Sequence, residues 1–309
     1  MTILDAIILG LIEGITEYLP ISSTGHLILT TALLGLDEPN EASAIDAFLI
    51  VIQGGAILAV LGLYRARVVQ MIRGLWGKDQ VGRRLLVNLV VAFLPAAVLG
   101  PLLNDTIERY LFRPAPVIAA LALGGVVMIL LGPWQRKFFR PNETSDGAHA
   151  HKFIDIEQLT WRMALIIGLL QCVAMWPGTS RSMVTIVGGM IIGLRPKQAA
   201  EFSFLLALPT LGGACVYKGL GNLLGTGPNM FAVLGATELI VGILVAAIAA
   251  AVAVKGLVSY LSRHGLAGFG WYRLVLSAVF VVLIWRGVLN LTPDSADPPD
   301  PQVRSSAIR

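Results

Sequence analysis

Two short stretches bring together residue types that could do chemistry. In the first, Glu13 and Glu17 precede Pro20, and Ser22, Ser23, Thr24, Gly25 and His26 follow it. Residues i and i+4 share a helix face, so the two carboxylates stack one turn apart. Ser23 and His26 are three apart and share a face of the next helix. The second stretch runs Pro177, Gly178, Thr179, Ser180, Arg181, Ser182. Serine and threonine just after a break are residues that cap helix N-termini. The free N–H groups and positive dipole end of such a helix suit a phosphate. Arg181 adds a fork of donors for phosphate oxygens, and reads equally well as a salt-bridge partner for Glu17. Two carboxylates beside a phosphate call for a divalent cation, Mg²⁺ or Ca²⁺, held by Glu13 and Glu17. The expected catalytic set is Ser23, His26, Glu17, Glu13 and Arg181, with Ser22, Thr24, Thr179, Ser180 and Arg181 binding phosphate. Ser23 is the expected nucleophile. A serine hydroxyl needs a neighbouring base, and His26, oriented by Glu17, is the one expected. The rival arrangement keeps Ser23 as a phosphate ligand and lets His26 attack or activate water.

The elements that must carry these residues are apolar. Of the 309 residues 56% are hydrophobic and 14% charged, with a mean hydropathy of +0.76. Soluble domains carry about 25% charged residues, so the chain reads as an all-α integral membrane protein. Six stretches are long enough to cross a bilayer: about 45–64, 86–103, 115–133, 199–217, 231–254 and 271–290. Ile3–Leu19 with Ser22–Leu36, and Thr160–Trp176 with Ser180–Leu194, are too short. Each pair is broken by a proline and reads as a re-entrant hairpin. The alternative is one long kinked span plus an interfacial helix.

The two halves resemble each other. Residues 10–23 lie over 168–180 if one residue is skipped before the proline, pairing Glu13 with Gln171, Pro20 with Pro177, Ser23 with Ser180 and Thr24 with Arg181. The expected fold is therefore six spans and two hairpins arranged as inverted-topology repeats. The first repeat occupies 1–133, with its hairpin at 3–36. A cytoplasmic loop covers 134–159, the second repeat 160–291 with its hairpin at 160–194, and a flexible tail 292–309. Most of the 23 lysines and arginines fall in loops 65–84, 134–162, 195–198 and 255–273, which places those loops in the cytoplasm. Arg109, Arg113, Lys218, Arg286, Arg304 and Arg309 face the other side, as does the acidic loop 37–46. Basic residues gathered this way are a topology signal and do not suggest nucleic acid. Cys172 and Cys215 read as small core residues. Trp76, Trp134, Trp161, Trp271 and Tyr272 read as interfacial anchors, and Gly10–Gly14 and Gly189–Gly193 as close-packing pairs.

The motifs Glu13-Gly-Ile-Thr-Glu17, Pro20-Ile-Ser-Ser-Thr-Gly-His26 and Pro177-Gly-Thr-Ser-Arg-Ser182 resemble the two signature stretches of the undecaprenyl-diphosphatase family, also called bacitracin-resistance proteins. The resemblance extends through about Leu291. It implies a phosphatase of the bacterial inner membrane, with its site open to the periplasm. Its substrate would be undecaprenyl diphosphate, and the product monophosphate would carry peptidoglycan precursors. The implied functional residues are Glu13, Glu17, Ser23, His26 and Arg181. Met183 departs from the pattern, which usually has glycine after Ser-Arg-Ser. Membrane lipid is the other expected partner, nucleic acid is not, and a homodimer stays open. The competing reading is a lipid flippase or transporter, because inverted repeats with helices broken at mid-membrane are transporter architecture.

Overall fold

A computed structural model describes residues 1–36, 42–134, 153–224 and 234–287. In chain order the first helices are α1 (Ile3–Thr16), α2 (Ser23–Leu33), α3 (Ala42–Leu63), α4 (Arg65–Leu75), α5 (Gln80–Leu111) and α6 (Pro114–Leu130). After them come α7 (Trp161–Gln171), α8 (Arg181–Ile191), α9 (Pro196–Leu224), α10 (Ala236–His264) and α11 (Ala267–Trp285). A 3₁₀ turn, Cys172–Met175, extends α7. The only β pairing among the described residues is one bridge between Ile154 and Leu194. The acidic segment 37–41, the stretch Asn142–Ala150 and the tail after Leu291 lie outside the described residues.

Six helices are long and apolar enough to cross a membrane: α3, α5, α6, α9, α10 and α11. Their outward faces carry large apolar side chains at high exposure, such as Leu130 at 71% and Ile248 at 68%. Water would penalise that surface and lipid would not. This is a multi-pass, all-helical membrane protein. The four arms α1, α2, α7 and α8 hold 14, 11, 11 and 11 residues. At 1.5 Å per residue they reach about 16–21 Å, short of a hydrocarbon core of about 30 Å.

Two stretches expected as loops are helical. Within 65–84, α4 is an amphipathic helix that exposes Arg65 and Arg73 together with Val69, Ile72 and Leu75. Loop 255–273 shrinks to the turn at Gly265, because α10 runs on to His264 and α11 begins at Ala267. Arg273 is consequently no loop residue: it sits inside α11, fully buried.

The two hairpins match in register with no gap. Thr2 and Thr160 cap the first arms, each side chain accepting from the backbone N–H three residues on. Ser22 and Ser180 cap the second arms, with φ/ψ of 71°/99° and 76°/111°. Gly35 and Gly193, at φ 66° and 104°, close them. The skip placed before the proline is therefore unnecessary. Glu13 still falls opposite Gln171, but Ser22 corresponds to Ser180, Ser23 to Arg181, and Pro20 to Gly178. Aligning the prolines misled because each turn needs one chain-breaker, and the two turns place it one residue apart.

The halves interleave. α1 packs along α10, and its counterpart α7 packs along α5; α3 also meets α10, and α9 meets α5, while α6 pairs with α11. Gly10 and Gly14 let α1 lie close against α10, since a Cβ on Gly10 would stand 2.7 Å from the Gly242 carbonyl oxygen. Gly168, the counterpart of Gly10, does the same on α5, where a Cβ would lie 2.8 Å from Ala92 Cα. Gly189 lets α8 approach Ala199, whereas Gly193 serves its turn. Each hairpin is thus seated on the other half of the chain, and the two tips meet inside the molecule.

Candidate active site

Ser22 and Ser180 are the only non-glycine residues with positive φ among those described. Such backbone costs of the order of 1–3 kcal/mol per residue and persists only where the surroundings enforce it. Here it turns the chain sharply enough that each second arm starts beside the end of its first. Ser22 Oγ accepts from Gly25 N at 3.4 Å, and Ser180 Oγ from Met183 N at 3.3 Å. The next residue of each arm, Ser23 or Arg181, points to one shared group. Ser23 Oγ donates to Glu17 Oε2 at 2.6 Å, and Arg181 Nη2 donates to Glu17 Oε1 at 2.8 Å. Glu17 is thus held from both sides by equivalent positions of the two hairpins.

The residues around this contact are equally connected. Arg181 Nη1 donates to Ser203 O at 2.9 Å, and its guanidinium lies 5.6 Å from the centre of the Tyr18 ring. Tyr18 in turn donates to Ala56 O at 2.9 Å. Ser182 Oγ donates to Leu19 O at 2.8 Å, stitching α8 to the first turn. Thr185 and Ser203 share a hydrogen bond of 2.6 Å beneath Arg181. Against this network three polar atoms stand buried without a protein partner: both carboxylate oxygens of Glu13 and Nε of Arg181. Gln171, opposite Glu13 in the repeat, is also buried and leaves Nε2 unpaired. Thr179 is buried at the second turn, and Thr24 is half-buried in the first turn of α2.

His26 is placed differently from expectation. Its Nδ1 lies 2.7 Å from Ser22 O, and its Nε2 lies 2.7 Å from the Tyr272 hydroxyl. A carbonyl oxygen only accepts, so Nδ1 carries a proton and, in the neutral ring, Nε2 accepts from Tyr272. The ring stacks on Tyr272 at 3° between planes and 5.6 Å between centres. Both ring nitrogens are therefore engaged away from Ser23, whose hydroxyl proton goes to Glu17. Glu17 in turn holds Arg181 and Ser23 and does not orient the imidazole. Tyr272, expected as an interfacial anchor, is a partner of His26.

Arg273 escaped sequence reading. The expected loop 255–273 and the expected span 271–290 overlap at this residue, so its sequence context is that of a loop base. The signal was present, because an arginine inside a spanning helix marks a function by default. Its guanidinium reaches the backbone of both turns and of α6.

Fold and site together define a polytopic helical membrane protein at whose centre two helix N-termini, an arginine and two carboxylates converge. Residues 6–279 match the family described as bacitracin resistance protein BacA. The chain is 43% identical over 289 residues to undecaprenyl-diphosphatase 2 of Rhodospirillum rubrum, covering 93% of this chain and 97% of that one. It is 45% identical over 281 residues to the undecaprenyl-diphosphatase of Sorangium cellulosum (90% and 85% covered), and 41% identical over 285 residues to that of Pseudomonas syringae pv. tomato (92% and 95%). The chain belongs to the BacA bacitracin resistance family.

Proposed function

We infer that this protein hydrolyses undecaprenyl diphosphate to undecaprenyl phosphate and inorganic phosphate, consuming one water. The observation that carries the reading is Glu17 held between Ser23 and Arg181 at two converging helix N-termini. Relatives named undecaprenyl-diphosphatase supply the substrate. The free amides of α2 and α8 and the Arg181 fork hold the terminal phosphoryl oxygens and offset their charge in the transition state. When that phosphate takes up Arg181, Glu17 is left to the Ser23 hydroxyl. Ser23 Oγ bonds to the terminal phosphorus, its proton passes to Glu17, and undecaprenyl phosphate leaves. Undecaprenyl phosphate carries that proton away and frees the carboxylate. Water then attacks the phosphoserine and gives a proton to Glu17, which returns it to Ser23 Oγ as the Oγ–P bond breaks and inorganic phosphate departs. His26 fixes the Ser22 carbonyl, and through it the turn that aims Ser23.

A divalent cation fits the acidic side. Glu13 has two unpaired buried oxygens, and the oxygens of Glu17 have lone pairs beyond those used by Ser23 and Arg181. No group of three or more carboxylate, histidine or cysteine ligands occurs among the described residues. The remaining ligands would be phosphate oxygens and water, which is the habit of Mg²⁺. Bound there, the cation would neutralise the diphosphate and polarise its oxygens.

The ungapped hairpins and the exchanged packing support re-entrant arms in inverted repeats, 1–133 and 160–291. The family resemblance and the loop charges support a place in the bacterial inner membrane with the site open to the periplasm. Cysteines at Thr2 and Gly35 should label only from outside intact cells, and cysteines at Thr160 and Arg195 only in inverted vesicles. Labelling of the two ends of either hairpin from opposite sides would reject the re-entrant reading. For the activity, purified protein in detergent should release phosphate from undecaprenyl diphosphate. Lipid transfer between vesicle leaflets with no phosphate released would reject hydrolysis and favour a flippase.

A further inference from the structure

One charged side chain holds both hairpin tips and has no part in the reaction above. Arg273 is 0% exposed, and all its hydrogen bonds go to backbone carbonyls. Nε donates to Leu121 O at 3.0 Å, and Nη2 to Ala120 O at 2.9 Å, which ties the guanidinium to α6. Nη1 donates to Pro20 O at 3.4 Å in the first turn and to Thr179 O at 2.9 Å in the second. Nη2 also donates to Gly178 O at 2.8 Å. Five N–H donors thus meet five carbonyls on three segments, and Pro20 and Gly178 are equivalent positions of the repeat. α6 is cut away to admit the group: a Cβ on Gly124 would overlap Nη2. A guanidinium in a spanning helix with only carbonyl partners is expensive, and such residues are kept for function.

The placement has a direct consequence for the site. The peptide group is planar and trans, so a carbonyl turned towards Arg273 sends the next N–H the opposite way. For the Thr179 carbonyl, that N–H belongs to Ser180, the cap of α8. The same grip fixes the peptide that precedes Ser180 and holds the first turn at Pro20, two residues before Ser22, so both strained caps are anchored to one group. The neighbouring Tyr272 holds His26, so two successive residues of α11 support the first turn and its cap. We propose that Arg273 is a positioning residue that fixes the two phosphate-binding turns relative to each other. The proposal rests on the phosphatase reading of the same site.

Lysine keeps the charge but offers three donors on one nitrogen, too few to span both turns and α6. Arg273→Lys should lower kcat by about 10- to 100-fold, since small misplacements far from the reacting atoms cost that much. KM should stay within about threefold. Gly124→Ala leaves the arginine in place but displaces Nη2, and should give the same loss in kcat. Both are measured as phosphate release per folded molecule, folding being scored by size-exclusion profile and thermal melting. A wild-type kcat per folded molecule in Arg273→Lys and Gly124→Ala, whatever the yield, would overturn the proposal and leave Arg273 a purely structural residue. Binding of a methylene-bridged, non-hydrolysable undecaprenyl diphosphonate separates this from failure of the parent reading. If the wild type neither cleaves the diphosphate nor binds the analogue, the site reading fails and takes the proposal with it. If the wild type does both and the two variants match it in kcat, the positioning role alone is rejected.

Discussion

The two hairpins share a backbone and divide the chemistry. Their N-caps, their closing glycines and the unusual φ of Ser22 and Ser180 coincide residue for residue. Their side chains do not. The first carries Glu13, Glu17, Ser23 and His26; the second carries Gln171, Met175, Arg181 and Val184 in the same places. A symmetric pair would set Glu17 against a second carboxylate, or Arg181 against a second guanidinium, and either contact is repulsive at low dielectric. Dividing the charges turns that repulsion into the Glu17–Arg181 pair at 2.8 Å. Duplicated backbone supplies two converging helix N-termini, and divergent side chains give the first carboxylates and a serine and the second an arginine.

The sharpest way to break that asymmetry is to remove its hinge. Glu17→Gln leaves neither an ion pair nor a proton acceptor for Ser23, and turnover should fall by about 10³-fold or more. Arg181→Gln should cost nearly as much, and the double variant little more than Glu17→Gln alone, because both act through one contact. Simple additivity in phosphate-release assays would mean the hairpins act independently.

The two serines test the same division at one remove. Ser23→Ala should lower turnover by about 10²–10⁴-fold with little change in melting temperature. Ser180→Ala should do the reverse, costing about 0.5–2 kcal/mol of stability for the lost cap and less than about tenfold in turnover. A phosphoserine trapped on wild-type Ser23 would sharpen the assignment, and near-normal Ser23→Ala turnover would end it.

The acidic pair comes next. Chelation should abolish activity and added Mg²⁺ or Ca²⁺ restore it. Glu13→Gln makes the first hairpin resemble the second at this position, and should raise the Mg²⁺ needed for half-maximal rate by roughly tenfold or more. An unchanged metal response in Glu13→Gln would remove that residue from the cation site.

His26 should show the smallest effect. If it only holds the Ser22 carbonyl, His26→Ala costs about tenfold, well below the roughly 10²–10⁴-fold typical of a lost general base. His26→Asn, whose amide can donate to Ser22 O, should recover most of that. A loss in the general-base range that asparagine does not relieve would return the imidazole to the role of base.

The sequence by itself determined the class, the spans and the cast of the site. Apolar runs of membrane length are set by the thickness of the bilayer, so all six spans were legible in place, and α3, α6, α9 and α11 to within a few residues at one end or both. α5 (expected 86–103, observed Gln80–Leu111) and α10 (expected 231–254, observed Ala236–His264) were not, because polar turns continue those helices past the apolar run. Carboxylates and an arginine in such a setting announce themselves, because lipid punishes them unless they are used. The short arms were legible for the same reason of length. What the tertiary structure alone decided was who touches whom. Ser23 and His26 share a face by spacing, yet cap geometry gives Ser23 to Glu17 while Ser22 and Tyr272 claim the imidazole. Tyr272 lies 246 residues from His26, and no local periodicity connects them. The register of the repeat was hidden as well, because adjacent serines and displaced prolines allow two alignments, and only backbone angles separate them. Arg273 is the clearest case: its sequence neighbours place it near a membrane boundary, and its partners are carbonyls, which carry no residue identity to read.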